Sequence, residues 1–160
     1  MSTAPKGLDF QLLPGTGEHL DAVTEIMERS FDRRFGEGWT RNQCSGILPL
    51  TGIELTLAYA LAGTPLGFTL SRTVADEAEL LLIAVIPEAR GRGIGSALVE
   101  HFIQTAQASG ATRLHLEVRD GNPAIRTYGK FGFSQVGRRT NYYSGPNGDK
   151  FDALTLARSI

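Results

Sequence analysis

The stretch from Glu88 to Gly95 reads EARGRGIG, with Gly91, Gly93 and Gly95 alternating with other residues and Arg90 and Arg92 among them. An apolar run, LLLIAVI, precedes it, and a helix-like segment, SALVEHFIQTA, comes after it. A helix N-terminus leaves its first backbone N–H groups unpaired and carries partial positive charge, and glycines let an anion approach that backbone closely. Two guanidinium groups add donors suited to phosphate oxygens. The chemistry on offer is therefore anion binding. A Walker A loop is excluded, because Gly95 is followed by Ser96 and no lysine. A dinucleotide loop is closer: Gly91, Gly93 and Ser96 approximate GxGxxG, and Glu117 falls near the spacing of a ribose-binding acid. Against it stand the two arginines, the Pro87–Glu88 turn and the hairpin, rather than a βαβ unit, that comes before.

The elements that must position this loop can be read from periodicity. DFQLLP reads as a short strand. HLDAVTEIMERSF places Leu20, Val23, Ile26 or Met27, and Phe31 at helical spacing. DRRFGEGW reads as a loop, with a second short helix near TRNQCSGIL. Alternation of Ile53, Leu55, Leu57, Tyr59 and Leu61 predicts a strand, paired through a turn with PLGFTLSRT. ELLLIAVIP is the next strand, and a helix over about 93–108 presents Ile94, Ala97, Leu98, His101 and Phe102 inward. RLHLEVR alternates cleanly, with Leu114, Leu116 and Val118 on one face and His115 and Glu117 on the other. A helix begins near NPAIRTY, a strand runs from Phe133 to about Tyr142, and KFDALTLA is the last. The order is β α α β β β α β α β β, in one α/β (α+β) domain over residues 1–160 whose first eight residues read as a loose end.

Bulk properties narrow the function. With 160 residues, 16 basic against 17 acidic side chains and a net charge of −1, the chain has no global pull toward nucleic acid or a membrane surface. Cys44 is the sole cysteine, so an intrachain disulfide or thiolate metal cluster is excluded. His19, His101 and His115 lack metal-ligand spacing, and no metal is expected. No secretory signal or membrane span is legible, so a cytoplasmic protein is expected.

Arg90-Gly91-Arg92-Gly93-Ile94-Gly95 matches the [QR]xxGx[GA] loop of the GNAT (GCN-five-related N-acetyltransferase) superfamily, and NPAIRTYGKFGF is similar to that superfamily's NxxPAIRLYxKxGF segment. The spacing and element order fit from about Asp9 onward. LEVR and RRTNYY…DA further resemble the ribosomal-protein alanine N-acetyltransferase (RimI-like) branch. The resemblance implies a single mixed, mostly antiparallel sheet of about seven strands, with helices on both faces and a splay between the fourth and fifth strands. It implies an acetyl-CoA-dependent transfer of acetyl to a primary amine in a ternary complex. The preferred acceptor is a protein N-terminal α-amine; a small-molecule amine and a non-catalytic acyl-CoA-binding or sensing domain remain as alternatives. A monomer and a homodimer are both compatible.

Residue by residue, the resemblance implies that Arg90, Gly91, Arg92, Gly93, Ile94, Gly95 and Ser96 hold the pyrophosphate of acetyl-CoA. Ile83, Ala84 and Val85 would pair with its pantetheine arm as a strand does. Asn122 would contact that arm or cap the following helix; it stands six steps before Tyr128, one fewer than the family pattern. Glu117 would be the general base, its pKa raised by a partly apolar cleft, or else an edge glutamate paired with Arg113 or Arg119. Tyr128 would protonate the departing sulfur or serve as a core aromatic. Trp39, Tyr142 and Tyr143 are the substrate-binding candidates, with Phe35 as a cleft wall and Asp149 and Asp152 as attractors of an ammonium group. Cys44 reads as buried and structural. A thermal-shift panel checks the ligand class: acetyl-CoA at ~100 times its Kd should stabilise by ~2.7 kcal/mol, and NAD and ATP should not.

Overall fold

A computed structural model describes residues 9–160; the loose end expected over residues 1–8 lies outside them. Strand β1 (Phe10–Gly15) leads into α1 (Leu20–Ser30) and α2 (Arg41–Ile47), then β2 (Ile53–Ala60), β3 (Pro65–Val74) and β4 (Glu77–Val85). After these come α3 (Ile94–Ala108), β5 (Arg113–Arg119), α4 (Ile125–Lys130), β6 (Ser134–Ser144) and β7 (Lys150–Ser159). The seven strands form one sheet in the order β1-β2-β3-β4-β5-β7-β6. All neighbours are antiparallel except β4 and β5. The expected mixed sheet and its division after the fourth strand are both present.

The two halves of the sheet are covered differently. In β2 and β3, consecutive residues Leu55–Ala58 and Leu66–Ser71 are buried. Both faces are therefore covered, and α1 and α3 are the helices that pack on β3 and β4. Alternation in β2 suggested a half-buried strand; Thr56 and Ala58, between its large apolar residues, are in fact buried as well. On β5 the alternation holds, with Leu114, Leu116 and Val118 buried against Tyr128, Phe133 and α3. His115, Glu117 and Arg119 take the other face. The inward stripe of α3 is Ile94, Leu98, Val99, Phe102, Ile103 and Ala106. Ala97 and His101, expected inside, are half-buried, because the stripe that meets the sheet runs one residue further round the helix.

Parallel pairing of β4 and β5 covers only Glu77↔Arg113 through Leu80↔Leu116. At that point β4 carries a bulge: Leu82 faces Leu70 on β3 and Leu80 faces Ser71, leaving Leu81 as an extra residue. An extra residue bends its strand and re-aims the chain beyond the bend. Leu81–Val85 keeps β3 on one side and loses β5 on the other. Phe68, fully buried in β3, anchors the core beneath this bend. Phe68→Ala should cost about 3–5 kcal/mol of stability, read as a lower urea midpoint with an unchanged m-value.

Candidate active site

Where β4 and β5 diverge, a cleft of about 660 Å³ opens, walled by Leu80–Val85 on one side and Leu116–Arg119 on the other. The cleft's far end is formed by Arg90, Gly91 and Gly95, and its floor includes Thr127 and Tyr128. Phe35 and Glu37, from the segment between α1 and α2, and Tyr143 of β6 complete the wall.

The glycine loop is shaped as a cradle. Gly91 and Gly93 have φ of 78° and 85°, a region a side chain makes costly. α3 starts at Ile94 with Gly93 as its N-cap and no side-chain cap. A Cβ added to Gly91, Gly93 or Gly95 would meet nothing within 4 Å, so the backbone there is open. The first-turn amides of Ile94, Gly95 and Ser96 thus lack a side-chain acceptor, at the positive end of a 15-residue helix. Arg92 is exposed. The Arg90 guanidinium is engaged elsewhere: its Nε donates to Val85 O at 3.1 Å and its Nη2 to Ser30 O at 2.8 Å. It fastens the loop to β4 and to the end of α1.

Glu117 stands opposite Thr155 of β7 in the strand register. Thr155 Oγ1 donates to Glu117 Oε2 at 2.7 Å, and Arg139 Nε lies 2.9 Å from Oε1. Neither Arg113 nor Arg119 is its partner. Tyr128 is 5% exposed and meets Phe133 edge-on at 6.1 Å between centroids. Burial pushes its phenol well above the usual tyrosine range, and the charge of Glu37 adds to the shift. The Tyr143 hydroxyl points to Glu117 O at 3.4 Å, and its phenol too is raised, by burial first and then by Glu37. Asn122 sits in the turn before α4, whose N-cap position is Ala124 without a side-chain cap: its Oδ1 accepts from Ala124 N at 2.9 Å, while its Nδ2 donates to Glu37 Oε1 at 3.1 Å.

Other candidates lie apart from the cleft. Trp39 is half-buried against the apolar core under α1 and α2. Tyr142 is 48% exposed and stacks edge-on with Tyr143 at 4.8 Å. Asp149 is exposed. Asp152 receives Asn141 N at 3.0 Å and Arg138 Nη1 at 2.9 Å, contacts that hold its carboxyl below the usual range. Its charge is already answered, which leaves it no surplus for an ammonium group. Cys44 is 1% exposed, and burial raises its thiol. Among the described residues no His, Cys, Asp and Glu cluster is placed to ligate a metal, and no helix is long and apolar enough to cross a membrane.

The pairing of Glu37 with Arg119 was not foreseen. Arg119 Nε is 3.2 Å from Glu37 Oε1, with side-chain exposures of 12% and 10%. Its N–H is not aligned for a hydrogen bond, so the contact is an ion pair. The guanidinium also lies 3.6 Å over the Phe35 ring. The sequence signal was present in FGEG, a charge set between glycines beside an aromatic, but nothing local said that its partner would be Arg119, far along the chain.

The model of the Acetyltransferase (GNAT) family matches residues 20–133. A ribosomal protein bS18-alanine N-acetyltransferase of Haemophilus influenzae is 40% identical over 92 residues, which is 58% of this chain and 63% of that protein. The match thus spans less than two thirds of that relative. One from Haemophilus ducreyi is 36% identical over 104 residues, 64% of this chain and 72% of that protein. The crystal structure of the ribosomal-protein-S18-alanine N-acetyltransferase from Escherichia coli superposes with a TM-score of 0.83 at 29% identity, covering 94% of each chain.

Removing one member of a buried ion pair strands the other charge, whereas replacing both with apolar groups avoids that penalty. Arg119→Met should therefore lose about 3–5 kcal/mol in urea unfolding at pH 7, and the double variant Glu37→Met/Arg119→Met should recover most of it.

Proposed function

The chain belongs to the GNAT acetyltransferase family, and from that premise we propose that it transfers the acetyl group of acetyl-CoA to the α-amine of a protein N-terminus, a ribosomal protein's being the preferred acceptor. The observation that carries the reading is the continuity of the Leu81–Val85 edge, which has no strand partner on the β5 side and only its last carbonyl, Val85 O, taken by Arg90, with the open N-terminus of α3. One run of chain offers strand-like amides and carbonyls for an extended amide-bearing arm, then amides and a helix dipole for a pyrophosphate. The relatives named above support the acceptor class, and a ribosomal acceptor implies a cytoplasmic enzyme.

In this reading Ile83, Ala84 and Val85 align the arm. The backbone of residues 91–96 holds the diphosphate, with Arg92 adding charge from the rim. Arg90 acts by shaping the loop. The acceptor enters between Phe35 and Tyr143, both on the cleft wall. Glu117 takes a proton from its ammonium group, and the neutral nitrogen attacks the thioester carbonyl. As the carbon–sulfur bond breaks, the electron pair goes to sulfur and Tyr128 supplies a proton to it, while the second proton, shed by the attacking nitrogen as it becomes an amide, restores the tyrosinate through solvent. Acetylated amine and the free thiol of CoA are the products, and no acyl-enzyme is formed.

The raised phenol of Tyr128 suits a desolvated leaving group. A thiolate near 8.5 in water would draw its proton reluctantly, yet burial in the same cleft makes the thiolate more basic too. One low-dielectric environment acts on both groups in the same direction.

The test is thiol release from acetyl-CoA with peptides bearing free N-terminal alanine, set against polyamines. Glu117→Gln and Tyr128→Phe should each lower kcat by about 100-fold or more while leaving the Kd for acetyl-CoA unchanged. Wild-type turnover in both variants would overturn the proton-transfer assignment.

A further inference from the structure

Three carboxylates line the cleft: Asp32, Glu37 and Glu117. Their partners differ in kind. Glu37 is locked to Arg119 and Asn122, with both ends of the ion pair buried. Asp32 caps the turn after α1 by accepting from Arg34 N, and it pairs with the exposed Arg34 guanidinium. Glu117 is asymmetric: its side chain is 13% exposed, while that of its partner Arg139 is 62% exposed. The arginine can turn its head into water at little cost, but the carboxylate cannot follow it.

The geometry of β6 produces this arrangement. Glu117, Thr155 and Gly137 form one row across β5, β7 and β6. Gly137 has no side chain, so Arg139, two residues on and on the same face, can reach along the row to Glu117. The register then breaks between Arg139 and Tyr143, with Asn141 at a φ of 55°. That bulge carries Tyr142 to the Arg139 side, where the guanidinium carbon lies 5.7 Å from its ring. The neighbouring Arg138 is unlike it, being held by two carboxylates, Asp120 at 2.8 Å and Asp152 at 2.9 Å.

We propose that Arg139 occupies on Glu117 the place of the acceptor's ammonium group, and that the acceptor binds by displacing it. The proposal rests on reading Glu117 as the base. Thr155 keeps Oε2 in place during the exchange, so Oε1 passes from one cation to another without the carboxylate being stranded. The released guanidinium settles toward Tyr142, whose face offers a cation–π contact. Arg139 thereby sets acceptor affinity: only a group that is cationic and can reach Oε1 replaces what it removes. An N-acetylated terminus, having no charge, does not.

Calorimetry on the protein saturated with CoA tests this, using a short peptide with free N-terminal alanine and its N-acetylated form. Arg139→Gln should bind the free peptide up to about fivefold more tightly, the range of an exposed ion pair. The N-acetylated peptide should show no change, and Arg139→Lys should behave as wild type. In a Glu117→Gln background, Arg139→Gln should change nothing. In turnover, the acceptor KM of Arg139→Gln should fall by the same factor, with the KM for acetyl-CoA unaltered. Equal or weaker binding by Arg139→Gln, or a gain that persists without Glu117, overturns the proposal. Turnover in wild type with no Arg139 effect overturns it alone. An Arg139 effect in a wild type that releases no thiol supports it and overturns the catalytic reading instead. A free peptide that does not bind at all overturns both.

Discussion

The site depends on β4 and β5 parting after Leu80 and Leu116. Parallel strands joined through a helix would ordinarily continue their ladder, and unpaired backbone inside a sheet costs about as much as a lost hydrogen bond per group. The bulge at Leu81 starts the divergence, and among the described residues no strand closes it again. The fold thus leaves a row of backbone groups that an extended, amide-bearing molecule can satisfy. The placement of the glycine cradle comes from the same event, because β4 runs on past the split and delivers the chain directly to the N-terminus of α3. One extra residue in a strand therefore creates the binding edge and aims it at the anion site.

Charge inside the cleft is sorted by burial. The Glu37–Arg119 pair is nearly closed to water, is capped by the Phe35 ring and is tied through Asn122 to the turn that starts α4. Breaking it is expensive, so it acts as structure, and its negative end helps keep the Tyr128 and Tyr143 phenols protonated. Glu117 has a half-buried neutral donor on one oxygen and an exposed cation on the other. Such a carboxylate stays oriented while remaining open to exchange. On the proposed reading the same residue type is a fixture at one wall and a working group at the other, and the difference lies in how far each partner reaches into solvent.

Local patterning made most of the fold legible. RLHLEVR alternates with period two and is β5 residue for residue, and the glycine loop and α3 are evident from spacing and composition. The features that stayed hidden were non-local. LLL at 80–82 carries no alternation to betray a bulge, because its extra residue is defined only by its pairing with Leu70 and Ser71. Asn122 is one residue closer to Tyr128 than the family pattern. Its bond to Glu37 can be seen only once two distant segments meet. Equally non-local are the packing of Trp39 on the core and the contact of Asp152 with Arg138.

The wall facing the acceptor is preorganised by three consecutive residues, each bound to a different strand. Phe35 meets Phe151 of β7 edge-on at 5.1 Å. Gly36, at a φ of 67°, packs so tightly on the Ser144 carbonyl of β6 that a Cβ would collide with it. Glu37 grips Arg119 of β5. A segment held at three successive positions cannot swing as a lid, so adaptation to the acceptor falls to side chains at its rim. The cation on Glu117, Arg139, has a side chain that is already 62% exposed. On the proposed reading, a rigid wall with one displaceable cation converts acceptor choice into a competition for a single carboxylate oxygen, which is a smaller and faster event than moving a loop.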